Sequence, residues 1–182
     1  MKTSKHIEIK EQSVFVDGKR ESTFSDEPDF SSFARVLYKN KEYNYPKFHK
    51  MSHMCKLGFL GVEFLLEGKD ISFLDKSRVA VVLACKSSSL QADVEYSKSM
   101  SDIPSPALFV YTLPNIVTGE ICIRHGLKGE ELMLVQEEFD YGFLMNYVEV
   151  LFNEKKTDLC ITGYVDFDEE SNYWANLYLI EK

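Results

Sequence analysis

Apolar residues along this chain fall into blocks whose spacing alternates between strand-like and helix-like. Residues 7–9 and 14–16 read as short strands around a polar connection, with Asp17-Gly18 as a turn signal. Residues 20–33 are polar, acidic and serine-bearing, the composition of a surface loop. Over 48–66, Met51, Met54, Cys55, Leu57, Phe59, Val62 and Leu65 recur at helical spacing, and Gly68 closes the block. Val79-Ala80-Val81-Val82-Leu83 is a continuous apolar run of the kind buried in a parallel sheet. Serines 87–89 lead into a helical stretch to about residue 100, Pro104 and Pro106 mark a loop, and 113–125 reads as a helix stopped by Gly126. A strand over 132–135, a helix over 139–152, a strand over 158–165, an acidic turn and a last strand over 174–180 complete the chain. The alternation predicts one α/β domain over residues 1–182, with a mainly parallel sheet, helices on both faces and an antiparallel C-terminal edge strand.

The helix over 139–152 carries the strongest sign of association. Gly142, Asn146, Glu149 and Asn153 fall on one narrow polar stripe, and apolar residues from Phe139 to Phe152 occupy most of the rest. So wide an apolar arc needs cover on more than one side, from the chain's own loops or from a second chain.

Charge narrows the partners. The formal net charge of −8 argues against nucleic acid or an anionic membrane, and an acidic partner would need a local basic patch. Lys47, Lys50 and Lys56, with His49 and His53, supply a candidate. No apolar run is long enough to span a bilayer, and no apolar core follows the basic residues near the start, so a cytoplasmic chain is expected. Cys55, Cys85, Cys122 and Cys160 are widely spaced among apolar neighbours, without a Cys-x-x-Cys pair, which favours buried thiols over disulfides or zinc. His49 and His53 stand four apart, a spacing that can hold a metal, but with no third ligand nearby no metal is expected. No cofactor is expected either.

The most specific pattern is Ser105-Pro106-Ala107-Leu108-Phe109-Val110-Tyr111-Thr112-Leu113-Pro114-Asn115-Ile116-Val117-Thr118-Gly119, continuing to Gly126-Leu127-Lys128-Gly129. Asn115, Gly119, Ile123, Gly126 and Gly129 stand at the spacing of the β-ketoacyl-acyl carrier protein synthases (ketosynthases) of the thiolase superfamily, which the segment resembles. Pro46-Lys47-Phe48-His49-Lys50-Met51 resembles that family's early basic motif. The strand at Val79 and Asp158-Leu159-Cys160-Ile161-Thr162-Gly163 are similar to its neighbouring strands, so the likeness covers most of residues 45–166.

The resemblance implies a three-layer, thiolase-like half-domain. It also implies that Lys47 and Lys50 dock an acyl carrier protein, and that Leu132, Leu134 and Val135 lie on a strand that pairs across a two-fold axis. Two departures bear on chemistry. Counting from Gly129, the place of the nucleophilic cysteine falls on Glu138, a poor acyl acceptor, for which the plainer role is a carboxylate satisfied by helix N-terminal donors. The family's second half, with its two catalytic histidines, has no counterpart, and His6, His49, His53 and His125 map to neither.

The expectation is therefore a catalytically silent partner in fatty-acid, polyketide or pigment assembly, contacting an acyl carrier protein or a full-length ketosynthase and possessing a dimer-forming strand. Two alternatives stay open: an acyltransferase or decarboxylase that completes an active site with another chain, and an interaction protein with no acyl role.

Overall fold

The computed structural model describes residues 1–23, 27–101 and 103–182. Lys2–Lys10 (β1), Ser13–Val16 (β2) and Lys19–Thr23 (β3) form an antiparallel meander. Glu11 and Gln12 (φ 46° and 52°) turn β1 into β2, and Asp17 and Gly18 (φ 50° and 76°) turn β2 into β3. Two successive left-handed residues match the right-handed twist of a hairpin, so the Asp17-Gly18 signal does what its sequence predicts.

The rest of the chain alternates. Helices run over Phe30–Asn40 (α1), His53–Leu66 (α2), Leu90–Ser99 (α3), Pro106–Val110 (α4), Ile116–His125 (α5) and Tyr141–Asn153 (α6). Strands run over Val79–Cys85 (β4), Glu131–Val135 (β5), Leu159–Phe167 (β6) and Tyr173–Glu181 (β7). One seven-stranded sheet has the order β3-β2-β1-β7-β6-β4-β5.

The α/β layering, with helices on both faces, is as the pattern predicts. The parallel part is the β5-β4-β6 trio and the four remaining pairings are antiparallel; two-residue hairpins join β1 to β2 and β2 to β3, and a longer turn over 168–172 joins β6 to β7. The last strand does not lie at an edge. β7 sits between β6 and β1, its Ala175, Leu177 and Leu179 buried on one face and Ile180 on the other. The edges are β3 and β5.

Residues 20–33 also differ from the expected loop: β3 and the start of α1 occupy much of them, and 24–26 lie outside the described residues. Asp29 caps α1, its Oδ1 accepting from the Ser32 backbone N–H at 2.7 Å. Phe30, Phe33, Ala34, Leu37 and Tyr38 then form a buried stripe at helical spacing. The helical block over 48–66 is broken. Pro46–Lys50 is a 3-10 turn, and α2 begins only after Ser52, whose Oγ accepts from the Cys55 N–H at 3.4 Å.

Helix α2 lies on the sheet between α1 and α5. A Cβ on Gly58 would sit 2.5 Å from Val117 Cγ1 of α5, and one on Gly61 would sit 2.6 Å from Leu177 Cδ1 of β7. The opposite face is covered differently. There α6 lies over β4 and β6, with Leu144, Val148, Leu151 and Phe152 against Ala80, Val82, Ala84, Cys160 and Tyr164.

The glycines of the diagnostic segment differ in what they permit. Gly126 ends α5 in the left-handed region (φ 67°), which costs a side-chain-bearing residue about 1–2 kcal/mol. Gly129 brings β5 alongside β4 so closely that a Cβ would collide with the Val79 carbonyl group. At Gly119 the nearest atom to such a Cβ is 3.7 Å away. Gly129→Ala is therefore expected to destabilise by about 2–3 kcal/mol, Gly126→Ala by less, and Gly119→Ala to be neutral or mildly stabilising. Urea midpoints of the three variants check this order; equal loss at all three would contradict it.

Candidate functional site

The carboxyl ends of β4 and β6 meet the turn that leads from β5 into α6. Gln136 N–H donates to the Cys85 carbonyl at 2.8 Å, and the chain then bends through Glu137 and Glu138 before α6 begins at Tyr141. Glu138 is exposed and makes no hydrogen bond or ion pair among the described residues. The helix-capping carboxylate belongs to Asp140 instead, whose Oδ1 accepts from the Phe143 N–H at 2.9 Å. The role expected of Glu138 thus falls two residues later, because 136–139 remain non-helical.

The backbone donors just past β4 are already engaged. Asp166 Oδ1 accepts from the N–H groups of Lys86 (3.0 Å) and Ser87 (2.7 Å), and its Oδ2 from Ser87 Oγ (2.9 Å). Beside it, Tyr164, Asp168, Asn172, Tyr173 and Trp174 line a shallow groove of about 170 Å³. The nearest thiol, Cys85, is buried, which pushes its pKa up to about 11. Burial likewise pushes Cys55 and Cys122 up to about 12 and raises Cys160 as well. Thiols so far above neutrality are poor nucleophiles.

The basic segment is not a continuous face. Lys47 Nζ lies 3.1 and 3.2 Å from the two carboxylate oxygens of Glu120 on α5. That carboxylate is buried, and it also accepts from Tyr45 Oη (3.1 Å) and Tyr111 Oη (3.5 Å). The 3-10 turn is thereby fastened to α5 through a group that desolvation makes costly to leave unpaired. Lys50 is exposed and has no partner among the described residues.

His49 and His53 belong to different elements, so the metal-ligand spacing has no shared helix behind it. His49 packs edge-on to Tyr38 and Phe48. His53 Nε2 meets Ser31 Oγ at 2.8 Å, between the rings of Phe30 and Phe167. Burial lowers the His53 pKa below its ordinary value, and the nearby Lys56 charge adds to this while Asp29 opposes it. His125 pairs with Glu63 at 3.4 Å, and His6 Nε2 lies 2.6 Å from Asn176 Oδ1. No cluster of three or more His, Cys, Asp or Glu suited to a metal occurs among the described residues.

On β5, Leu132 and Leu134 pack against the α6 layer and Met133 against the opposite core. Val135 is 56% exposed at the strand's end. The three expected interface residues therefore share an edge strand.

Sequence reasoning missed Glu120 and Asp166. The signal for Glu120 was present: a carboxylate set among Val117, Thr118 and Ile121 on a buried helix face. Asp166 lay in what reads as an acidic turn, with nothing local to mark its donors.

Comparison with solved structures places this arrangement. The ishigamide ketosynthase/chain length factor superposes with a TM-score of 0.68 at 13% identity, covering 99% of this chain and 61% of that one. The chain has a ketosynthase fold. A type II polyketide synthase acyl carrier protein in complex with its ketosynthase bound to the hexaketide (AntDE:AntF) gives a TM-score of 0.69 at 12% identity, covering 99% of this chain and 62% of that one. The ketosynthase ApeO in complex with its chain length factor ApeC, from Xenorhabdus doucetiae, gives 0.59 at 14% identity, covering 78% and 62%. This chain thus spans about three fifths of the length of these ketosynthase-fold chains. No protein-family model matches the sequence, and no curated protein does. Among the described residues, no helix is long and apolar enough to cross a membrane.

Two outcomes are expected. Lys47→Ala leaves the Glu120 carboxylate short of its cation and costs about 1–2 kcal/mol, discounted because the lysine side chain is half exposed. Lys50→Ala stays within about 0.5 kcal/mol of the parent, and denaturant titration of both separates a fastening residue from a free one. The second outcome concerns acid. The unfolded chain takes up a proton at His53 that the folded chain resists, so stability falls as pH drops below about 6.5. His53→Gln should flatten that slope; an unchanged slope would assign it to other groups.

Proposed function

We propose that this chain is a catalytically silent, ketosynthase-like partner subunit in acyl-chain assembly, working against an acyl carrier protein or a full-length ketosynthase. The observation that carries the reading is the state of the β4 and α6 termini. The N–H groups of Lys86 and Ser87 are taken by Asp166 and that of Phe143 by Asp140, and desolvation raises the pKa values of all four thiols. Glu138, at the nucleophile position implied by the diagnostic segment, is exposed and lies outside the α6 cap. The likeness to chains that work in ketosynthase/chain length factor complexes, and to one solved with its carrier protein, supports the choice of partner.

Carrier-protein docking on this reading falls mainly to Lys50, with the half-exposed ammonium of Lys47 beside it. Lys50→Glu should weaken carrier-protein binding, as should added salt with the parent protein. A titration unaltered by either change would leave Lys50 as a solvated side chain.

The catalytic part is tested by incubating the chain with acyl- and malonyl-carrier protein. Neither a covalent acyl adduct nor a ketoacyl product is expected. Robust turnover that Glu138→Ala abolishes would overturn the reading.

A further inference from the structure

We infer that the groove at the amino ends of β4, β5 and β6 binds a small phosphate ester, its phosphoryl group held by Lys128, Lys155 and the Thr157 hydroxyl. This goes beyond the partner-subunit reading and does not depend on it.

The groove is built from three segments that lead into parallel strands. Arg78 precedes β4, Lys128 and Gly129 precede β5, and Lys155 to Thr157 lead towards β6. They bound an open groove of about 500 Å³, within the roughly 300–1,000 Å³ of small-molecule sites. The segments are stitched to one another. Lys128 N–H donates to the Lys76 carbonyl and Asp158 N–H to the Arg78 carbonyl, both at 2.9 Å. The Arg78 guanidinium joins the Asp158 carboxylate to the Lys155 carbonyl, the latter at 2.7 Å. Glu138 and Asp166 stand at the other end of these strands.

The lining runs against the chain's net charge of −8. Arg78, Lys128, Lys155 and Lys156 face the groove with Asp75 and Glu130. Two of the cations are already answered, Arg78 by Asp158 and Lys156 by Glu154 at 2.6 Å. Asp75 and Glu130 accept from Ser77 and from the Tyr147 hydroxyl. The ammonium groups of Lys128 and Lys155 have no partner among the described residues. The C-terminal carbonyls of α6 draw a cation to Lys155, but Lys128 belongs to a different segment and that helix does not account for it.

The second observation is a buried hydroxyl. Thr157 is only 1% exposed and lines the groove, and its Oγ1 has no hydrogen-bond partner among the described residues. A buried polar group left unpaired is costly, and a ligand in the groove would engage it. Two ammonium groups and one hydroxyl match a phosphoryl group, which offers three acceptor oxygens and about −1.5 to −2 charges. A carboxylate offers two oxygens and a single charge, and leaves one of the three donors unanswered. The rest of the groove lodges the body of the ester, whose hydroxyl groups donate to the Asp75 and Glu130 carboxylates.

Amide NMR shifts of the isotope-labelled chain, titrated with inorganic phosphate and with glycerol 3-phosphate, test the site. Chloride at matched ionic strength is the control. Saturable shifts are expected at Lys128, Gly129 and Thr157 that chloride does not reproduce, with the ester binding at least about threefold tighter than inorganic phosphate. Lys128→Ala and Lys155→Ala change exposed side chains, and each should weaken binding about tenfold. Thr157→Val separates binding from folding. Removing a hydroxyl that bonds to nothing described should leave the urea midpoint unchanged or raised, while phosphate binding weakens severalfold. A lowered midpoint would show the hydroxyl engaged in the fold and overturn the inference. So would shifts that chloride matches, an ester that binds no tighter than inorganic phosphate, or binding that survives Lys128→Ala/Lys155→Ala. None of these measurements involves a carrier protein or an acyl substrate, so their outcome is separate from that of the partner-subunit reading.

Discussion

A helix that is apolar on every side must be enclosed on every side, and α2 imposes that condition on the rest of the chain. Eleven of its fourteen residues are buried, far more than one face. The sheet closes one side through β1, β6 and β7, and α1 and α5 close the flanks. Its ends are tied by charge. Lys5 Nζ donates to the Phe64 and Glu67 carbonyls at 2.6 and 2.9 Å, a cation on the negative end of the helix. Glu63 near that end pairs with Arg124 of α5 at 2.8 Å, and the Arg124 guanidinium in turn lies over the Tyr45 ring. The Lys47–Glu120 contact fastens the preceding turn to the same helix α5. The N-terminal strand, the first helix and the basic turn are thus consequences of one buried element.

Enclosing α2 leaves the sheet unequally covered. Several helices serve one face, whereas α6 on the other lies over β4 and β6. β7 and β1 answer with paired polar and aromatic groups on that side: Trp174 Nε1 donates to Glu8 Oε1 at 3.0 Å, and His6 stacks on Tyr178 with ring centroids 4.5 Å apart. Those groups satisfy one another. The β5 side of α6 has no such closure, and its exposed residues are Phe143 and Val150. On this face of the sheet, apolar exposure thus lies on the β5 side of α6 rather than over β7 and β1.

What could be read from the sequence was local. The Asp17-Gly18 turn, the all-apolar Val79 strand and the glycine ending α5 each depend on a few adjacent residues, and each is where the pattern puts it. The stripe of α1 was equally periodic, but its first turn follows a run of serines and acids whose composition resembles a loop. Long-range pairing was not legible. β7 is an interior strand because β1, more than 160 residues away, takes its outer side. Lys47 looked as free as Lys50, because the carboxylate that engages it lies 73 residues further along the chain. Glu138 and Asp140 could not be told apart by counting, since the count assumes that the helix begins at once after the strand.

The electrostatics of the α6 entrance bear on the proposed binding role. Acyl transfer and decarboxylation pass through thiolate, oxyanion or enolate states, each of which needs positive potential or free N–H donors. Here Glu137, Glu138 and Asp140 precede the helix, and Asp166 stands across from it at the end of β6. The partial positive charge of the helix N-terminus, about half an elementary charge, is partly offset by the Asp140 carboxylate. A developing oxyanion there would face like charge, whereas a basic protein surface would meet the same carboxylates with attraction.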